Sequence, residues 1–157
     1  MQKITTFLTF QDRGEEAVNF YVSTFPNSKI TTLVLNEHDG PMPKGVLLHA
    51  AFELDGQKFM AMEGGPHFKF EQGFSLFVNC ETQEEIDRLW ERLSEGGEKQ
   101  PCGWVKDNYG VSWQIIPSIL GQLMQDKDPA KSQRVMNAML KMSKIDIQGL
   151  RDAYEGR

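Results

Sequence analysis

The sequence predicts an α+β fold made of two βαβββ modules followed by a helical extension. Three observations carry that expectation. A strand–helix–three-strand pattern runs on each side of a glycine- and proline-bearing stretch, residues 64–72. Each half holds one apolar stripe at i, i+3, i+4 and i+7, the mark of an amphipathic helix. Each half also holds a tight-turn signal between apolar runs, Asp55-Gly56 in the first and Asp107 to Gly110 in the second. The halves share no obvious residue identity, so the repeat is one of pattern only.

The elements follow in order. Lys3 to Phe10 predicts a strand with Ile4, Thr6, Leu8 and Phe10 on one face and Thr5, Phe7 and Thr9 on the other. Val18, Tyr21, Val22 and Phe25 form the first helical stripe, with Glu15 and Glu16 favourably placed at its dipole and Pro26 at its end. Lys29 to Asn36 is rich in β-branched residues and predicts a strand, and His38 to Gly45 predicts a loop. Val46 to Leu54 and Gln57 to Glu63 form a hairpin about Asp55-Gly56. In the second half Phe74 to Asn79 predicts a strand, and Thr82 with Glu85 a capping box. Behind the box Ile86, Leu89, Trp90 and Leu93 give the second stripe, stopped by Gly96-Gly97.

Lys99 to Pro101 and the stretch Cys102 to Pro117 supply the remaining strands. Along the last one Val111, Trp113 and Ile115 alternate with Ser112, Gln114 and Ile116. A lone Gln on that second face suits a cavity wall, or a satisfied polar residue under a sheet. Beyond Pro117 the composition changes. Asp128 before Pro129 is an N-cap and first-turn pair, and Val135, Met136, Met139, Leu140 and Ser143 follow at helical spacing. A second helix is expected from Asp146 to near Gly156, with Ile147, Leu150 and Tyr154 as its apolar side. Met124, Met136, Met139 and Met142 make this extension an adaptable packing surface, for its own domain or for a second subunit. The expected divisions are residues 1–66, 67–120 and 121–157, in one compact domain.

The bulk numbers exclude several classes. A chain of 157 residues with 39% hydrophobic and 25% charged residues reads as a soluble globular protein. A net charge of −5 with no basic run argues against a nucleic-acid partner. MQKITTFLTF has too short an apolar run for a signal peptide or membrane span, so no membrane association is expected. Cys80 and Cys102 show neither metal-type spacing nor a disulfide framework, and a reduced, cytoplasmic setting is the expectation.

The doubled βαβββ pattern closed by a DxxGxxWQ strand pair resembles the vicinal-oxygen-chelate superfamily of glyoxalases, extradiol dioxygenases and fosfomycin and bleomycin resistance proteins. Within it the chain is similar to the PhnB-like, demethylubiquinone-methyltransferase-like family. The stretches that carry the likeness are EEAVNFYVSTFPNS (15–28), LLHAAFELDGQKFMAMEGG (47–65), FSLFVNCETQEEIDRLWERLSEGG (74–97), CGWVKDNYGVSWQIIPSIL (102–120) and RVMNAMLKMSKIDIQGLRDAYEG (134–156). The resemblance implies half-open mixed sheets around a cavity and a homodimer. It also implies a divalent ion held by four inward-facing strand residues and chelated by two substrate oxygens.

Those four places fall near Thr5, Ala61, Phe74 and Gln114. The glyoxalase pattern carries His or Glu there, whereas only Gln114 of this set can coordinate. The standard metal centre is therefore expected to be absent. A one-residue slip puts Met60 or Met62 in the fourth-strand place, and neither restores the site. The ligand cavity is expected to be lined by Thr5, Phe7, Ala61, Phe74, Trp104 and Gln114, with Trp113 a further aromatic candidate. His49, beside Ala51 and Glu53, and Glu63, beside Phe59 and Ala61, are candidates for acid–base work or are structural residues. His38 and His67 lie in loops, and Cys102 has no activating base near it in sequence.

Three functions follow. The first is metal-independent binding of a small organic molecule in the cavity, with no cofactor. The second is a divalent-metal-dependent lyase, isomerase or dioxygenase of glyoxalase type. The third is methyl transfer, as the family label implies. It needs a glycine-rich loop between a parallel strand and a helix, and Gly64-Gly65 and Gly96-Gly97 are expected in a linker and at a helix end instead.

Overall fold

The computed structural model describes residues 2–157. The chain divides into two compact units, Met1–Lys69 and Phe70–Arg157. Each carries a four-stranded mixed sheet with a helix on one face, so the α+β class and the doubled βαβββ pattern both stand.

In the first unit β1 (Thr6–Phe10), α1 (Gly14–Thr24), β2 (Lys29–Leu35), β3 (Leu47–Leu54) and β4 (Gln57–Glu63) give the strand order β1-β4-β3-β2, with β1 parallel to β4. Leu8 pairs with Ala61, Ala61 with Ala50, and Phe52 with Phe59. All five side chains are buried, together with Ala17, Val18 and Tyr21 of α1, which packs on β2, β3 and β4. The Phe52 and Phe59 rings stack with centroids 5.5 Å apart. Each such large apolar side chain contributes about 1.5–3 kcal/mol by leaving water. The buried stripe of α1 is Gly14, Ala17, Val18, Tyr21 and Thr24, while Val22 and Phe25 are only half-buried. The helix is thus turned toward its small residues. A Cβ on Gly14 would come within 2.9 Å of Leu47.

The Asp55-Gly56 hairpin forms as expected. Both residues have positive φ, 47° and 79°, as a type I′ turn demands. One feature of β3 was not expected. Val34 pairs with His49 but Leu35 with Leu47, so Leu48 is an extra residue in the ladder. The bulge turns Leu47 into the core and leaves Leu48 exposed.

In the second unit β5 (Leu76–Cys80), α2 (Gln83–Ser94), β6 (Glu98–Lys99), β7 (Trp104–Lys106) and β8 (Ser112–Pro117) give the order β5-β8-β7-β6, with β5 parallel to β8. The strand expected over Lys99 to Pro101 shrinks to Glu98–Lys99, because Pro101–Gly103 winds into a 3-10 turn. Helix α2 buries Ile86, Leu89, Trp90 and Leu93 against β5, β7 and β8. Its box is half formed as drawn from sequence. The Thr82 hydroxyl accepts from Glu85 N–H (3.2 Å), but the Glu85 carboxylate accepts from the Glu81 N–H (2.9 Å), one residue before the cap.

The extension is part of this second unit. It forms α3 (Ile119–Met124), α4 (Pro129–Met139) and α5 (Ile147–Glu155), the last two capped by Asp128 and Asp146. Helix α3 was not foreseen. Helix α4 stops at Met139, short of the expected Ser143, and Leu140 is 59% exposed rather than packed. The three helices close on Ile116, Val135, Ile145 and Leu150, with Met124, Met139 and Met142 packed around them.

Candidate functional site: the open sheet faces

Because a helix covers one face of each sheet, alternation leaves every second strand residue on an open face. In the first unit β1 and β4 place Phe7 beside Met60, and β3 places Ala51 beside Met60 and His49 beside Val34. Phe7 is 47% exposed, Val34 44% and Met60 36%. Thr5 precedes β1 and is half-buried on the Phe7 side by alternation. Ala61 is not on this face. It is fully buried beneath α1, and Met60 and Met62 take the place expected of it.

His49 and Glu63 are not brought together. His49 lies half-buried on the open face, whereas Glu63 pairs in register with buried Phe10 on the helix-covered side. There the Glu63 carboxylate accepts the Leu47 N–H, and a Cβ on Gly14 would come within 3.0 Å of its Cγ. It anchors the end of β3 beside the bulge instead of waiting in solvent. The acid–base pair read from the sequence is thus split across the sheet.

In the second unit the open face aligns Phe77 of β5, Gln114 of β8 and Trp104 of β7 in one row. Phe77 is 53% exposed. Phe74, expected to line the cavity, stands before β5 begins and is exposed, and Phe77 is the aromatic residue that β5 places on this face. Sequence reasoning missed Phe77 by starting the strand two residues early. The Gln114 amide donates to Ser75 Oγ at 2.9 Å. Beside Trp104 an open groove of about 480 Å³ is lined by Gln72, Glu98, Gln100 and Pro101.

Trp113 points the other way and is a core residue. Its indole N–H donates to Asp107 Oδ2 at 2.8 Å, and Asp107 Oδ1 accepts the Tyr109 and Val111 N–H groups at 2.8 and 3.0 Å. Asp107 is itself buried, and Gly110 takes φ 95° to close the turn. The Asp–Gly–Trp spacing of the DxxGxxW motif is therefore structural: the carboxylate nails the turn to the strand that carries Gln114. The spacing itself was the available signal, since a turn Asp two and four residues before amides can accept from both.

A divalent ion does not fit these faces. Of the residues expected at the ligand places, Ala61 and Phe74 carry no donor, as Met60 and Met62 would not restore one, Thr5 is a weak ligand, and Gln114 offers one amide oxygen while its N–H donates to Ser75. No group of three His, Cys, Asp or Glu side chains is placed to hold a metal among the described residues. Cys80 is buried and offers no activated thiolate. Burial pushes the Cys80 thiol up to about 12, with Glu85 adding to it, and Cys102 sits within the 3-10 turn. No helix among the described residues is long and apolar enough to cross a membrane.

Comparison with known proteins places the chain. The model of the 3-demethylubiquinone-9 3-methyltransferase family matches residues 2–116, which leaves the extension outside the match. A Bacillus cereus protein described as a 3-demethylubiquinone-9 3-methyltransferase, PhnB protein, is 40% identical. The match covers 74% of this chain and 100% of that one, with a TM-score of 0.68. A Pseudomonas aeruginosa protein is 25% identical over 74% of this chain and 98% of its own, with a TM-score of 0.61. The fosfomycin resistance protein FosX from Listeria monocytogenes, solved with Mn(II) and sulfate, shares the fold at 15% identity and a TM-score of 0.53, over 72% and 89% of the two chains. None of the curated proteins compared with the chain matches it. With its two βαβββ units and these matches, the chain belongs to the PhnB-like 3-demethylubiquinone-9 3-methyltransferase family.

Proposed function

We propose that this protein binds a small, largely apolar organic molecule against its open sheet faces, without a divalent-metal centre or other cofactor. The observation that supports this reading is the exposure of large apolar side chains on the open sheet faces. Phe7, Met60 and Phe77 stand exposed on the open faces, and no group of three His, Cys, Asp or Glu side chains is placed to chelate an ion among the described residues. Exposed aromatic and thioether groups on a rigid sheet recover apolar area when a ligand covers them, at about 25 cal/mol per Å². Gln114 and the groove beside Trp104 add a few polar groups to orient such a ligand.

Methyl transfer of the usual kind draws no support. Gly64-Gly65 follows β4 and Gly96-Gly97 follows α2, so neither pair links a parallel strand to a helix around a nucleotide. The metal-dependent reading lacks ligands for the reasons already given.

The reading is tested by titrating the full chain with the apolar dye 8-anilinonaphthalene-1-sulfonate while its cooperative melt confirms the fold. Saturable binding is expected, weakened about tenfold by Phe7→Ser or Phe77→Ser, since losing one phenyl contact costs about 1.4 kcal/mol. Both side chains are exposed, so the variants fold. Binding that neither variant weakens, or no saturable binding, contradicts the reading.

A further inference from the structure

We propose that the helical extension is a specificity element: it stands as a fixed wall at one end of the second sheet's open face and sets the length of ligand accepted there. The inference rests on the reading of that face as a ligand site. Its basis is Ile116. By strand alternation Ile116 shares a face with Gln114, two residues away, yet it is 6% exposed while Phe77, paired with Gln114, is 53% exposed. What covers Ile116 is the extension, through Val135, Ile145 and Leu150 with Leu120 and Leu123 beside them. Along β8 the open face therefore ends at this cluster, two residues beyond Gln114, while on β5 Asn79, the register partner of Ile116, stays exposed beside it.

The wall is held by several bonds rather than laid loosely on the sheet. The Gln83 amide, at the start of α2, donates to Ile145 O (3.0 Å) and accepts from Ile147 N–H (2.8 Å). The backbone of the 3-10 turn adds two more bonds, Cys102 N–H to Met142 O at 2.9 Å and Gly103 N–H to Ser143 O at 2.7 Å. Lys144 pairs with Asp87 at 3.0 Å. Gly103 has φ +82°, and a Cβ there would meet Ile115 O and Ile116 Cδ1 at 2.9 Å and Ile145 Cγ1 at 3.0 Å. Only glycine lets the turn, β8 and the extension meet this closely. A wall so fixed rejects what it does not fit, because packed interiors do not yield by a methylene without cost.

The test is calorimetric titration of the full chain with 4-alkylphenols from methyl to hexyl. For the native chain affinity is expected to rise about fourfold per added methylene until the alkyl end meets the wall, and then to fall. Two variants loosen the wall, Gln83→Ala at the clasp and Ile145→Ala within the cluster. Gln83 is a half-buried residue in the first helical turn, so its variant keeps the proposal testable should Ile145→Ala not fold. In a folded variant the limit is expected to move to longer chains, with methyl- and ethylphenol bound within twofold of the native value. A limit that stays put, or a loss shared equally by every member, overturns the wall and leaves the ligand site standing. If no member binds the native chain, the ligand-site reading falls and the wall with it.

Discussion

Asp107 decides how the strand behind the candidate site is held. A buried carboxylate that accepts three N–H groups satisfies the turn, the strand start and the Trp113 indole at once. Removing it strands three donors in a dry site, each costing about 1–3 kcal/mol when left unpaired. Asp107→Ala is therefore expected to destabilise the protein by about 3–5 kcal/mol in urea unfolding, more than Trp113→Phe, which removes one of the three bonds. A loss below about 1 kcal/mol would show that the network is not what fixes the turn. The residue scale is also where sequence reading was least secure. Gln114 reaches the open face as its alternation implied, but Ala61 and Phe74 do not. A strand pattern fixes parity only if its first residue is known, and a slip by one exchanges the two faces. Glu63 could not be placed at all, because its partner is the Leu47 amide beside a bulge that no side-chain pattern announces.

Among the elements, the extension has its own dependence on pH. Hydrogen bonds from the Gln83 amide and Lys144 hold the Asp87 carboxyl below its usual 3.8, and the Tyr154 hydroxyl and Asp128 N–H do the same for Asp126. The Asp126 carboxylate in turn raises Tyr154 above its usual 10.0. A carboxyl with a depressed pKa contributes stability that is complete above 3.8 and lost as pH falls through its folded value. A phenol with a raised pKa contributes stability that is complete below 10.0 and lost as pH rises through its folded value. The extension is thus expected to loosen at both ends of the scale while the sheets hold. Amide hydrogen exchange over residues 119–155 checks this. Exchange there that tracks the sheets at both extremes would contradict it. The helices themselves were largely legible, since Asp128, Asp146 and Thr82 are caps that can be read locally. The early stop of α4 was not, because it depends on residues 141–145 turning back to meet Gln83 and the 3-10 turn.

For the whole molecule, the fold was legible because it is written in repeated short-range signals: two helical stripes, an Asp-Gly hairpin and a closing Asp–Gly–Trp turn. Each is satisfied within its own unit. The site was less legible, because it is defined by which face each helix leaves uncovered. What the faces carry is clear. Phe7, Met60 and Phe77 stand exposed on the open faces, and the Gln114 amide N–H donates to Ser75 Oγ. The central claim is that this scaffold is used for binding without a metal. Its most direct test is the metal content of the purified chain, followed by calorimetry with zinc, nickel, manganese and iron(II). The account predicts no stoichiometric metal and no saturable uptake of any of the four. One tightly held ion per chain, lost in a Gln114→Ala variant, would contradict it.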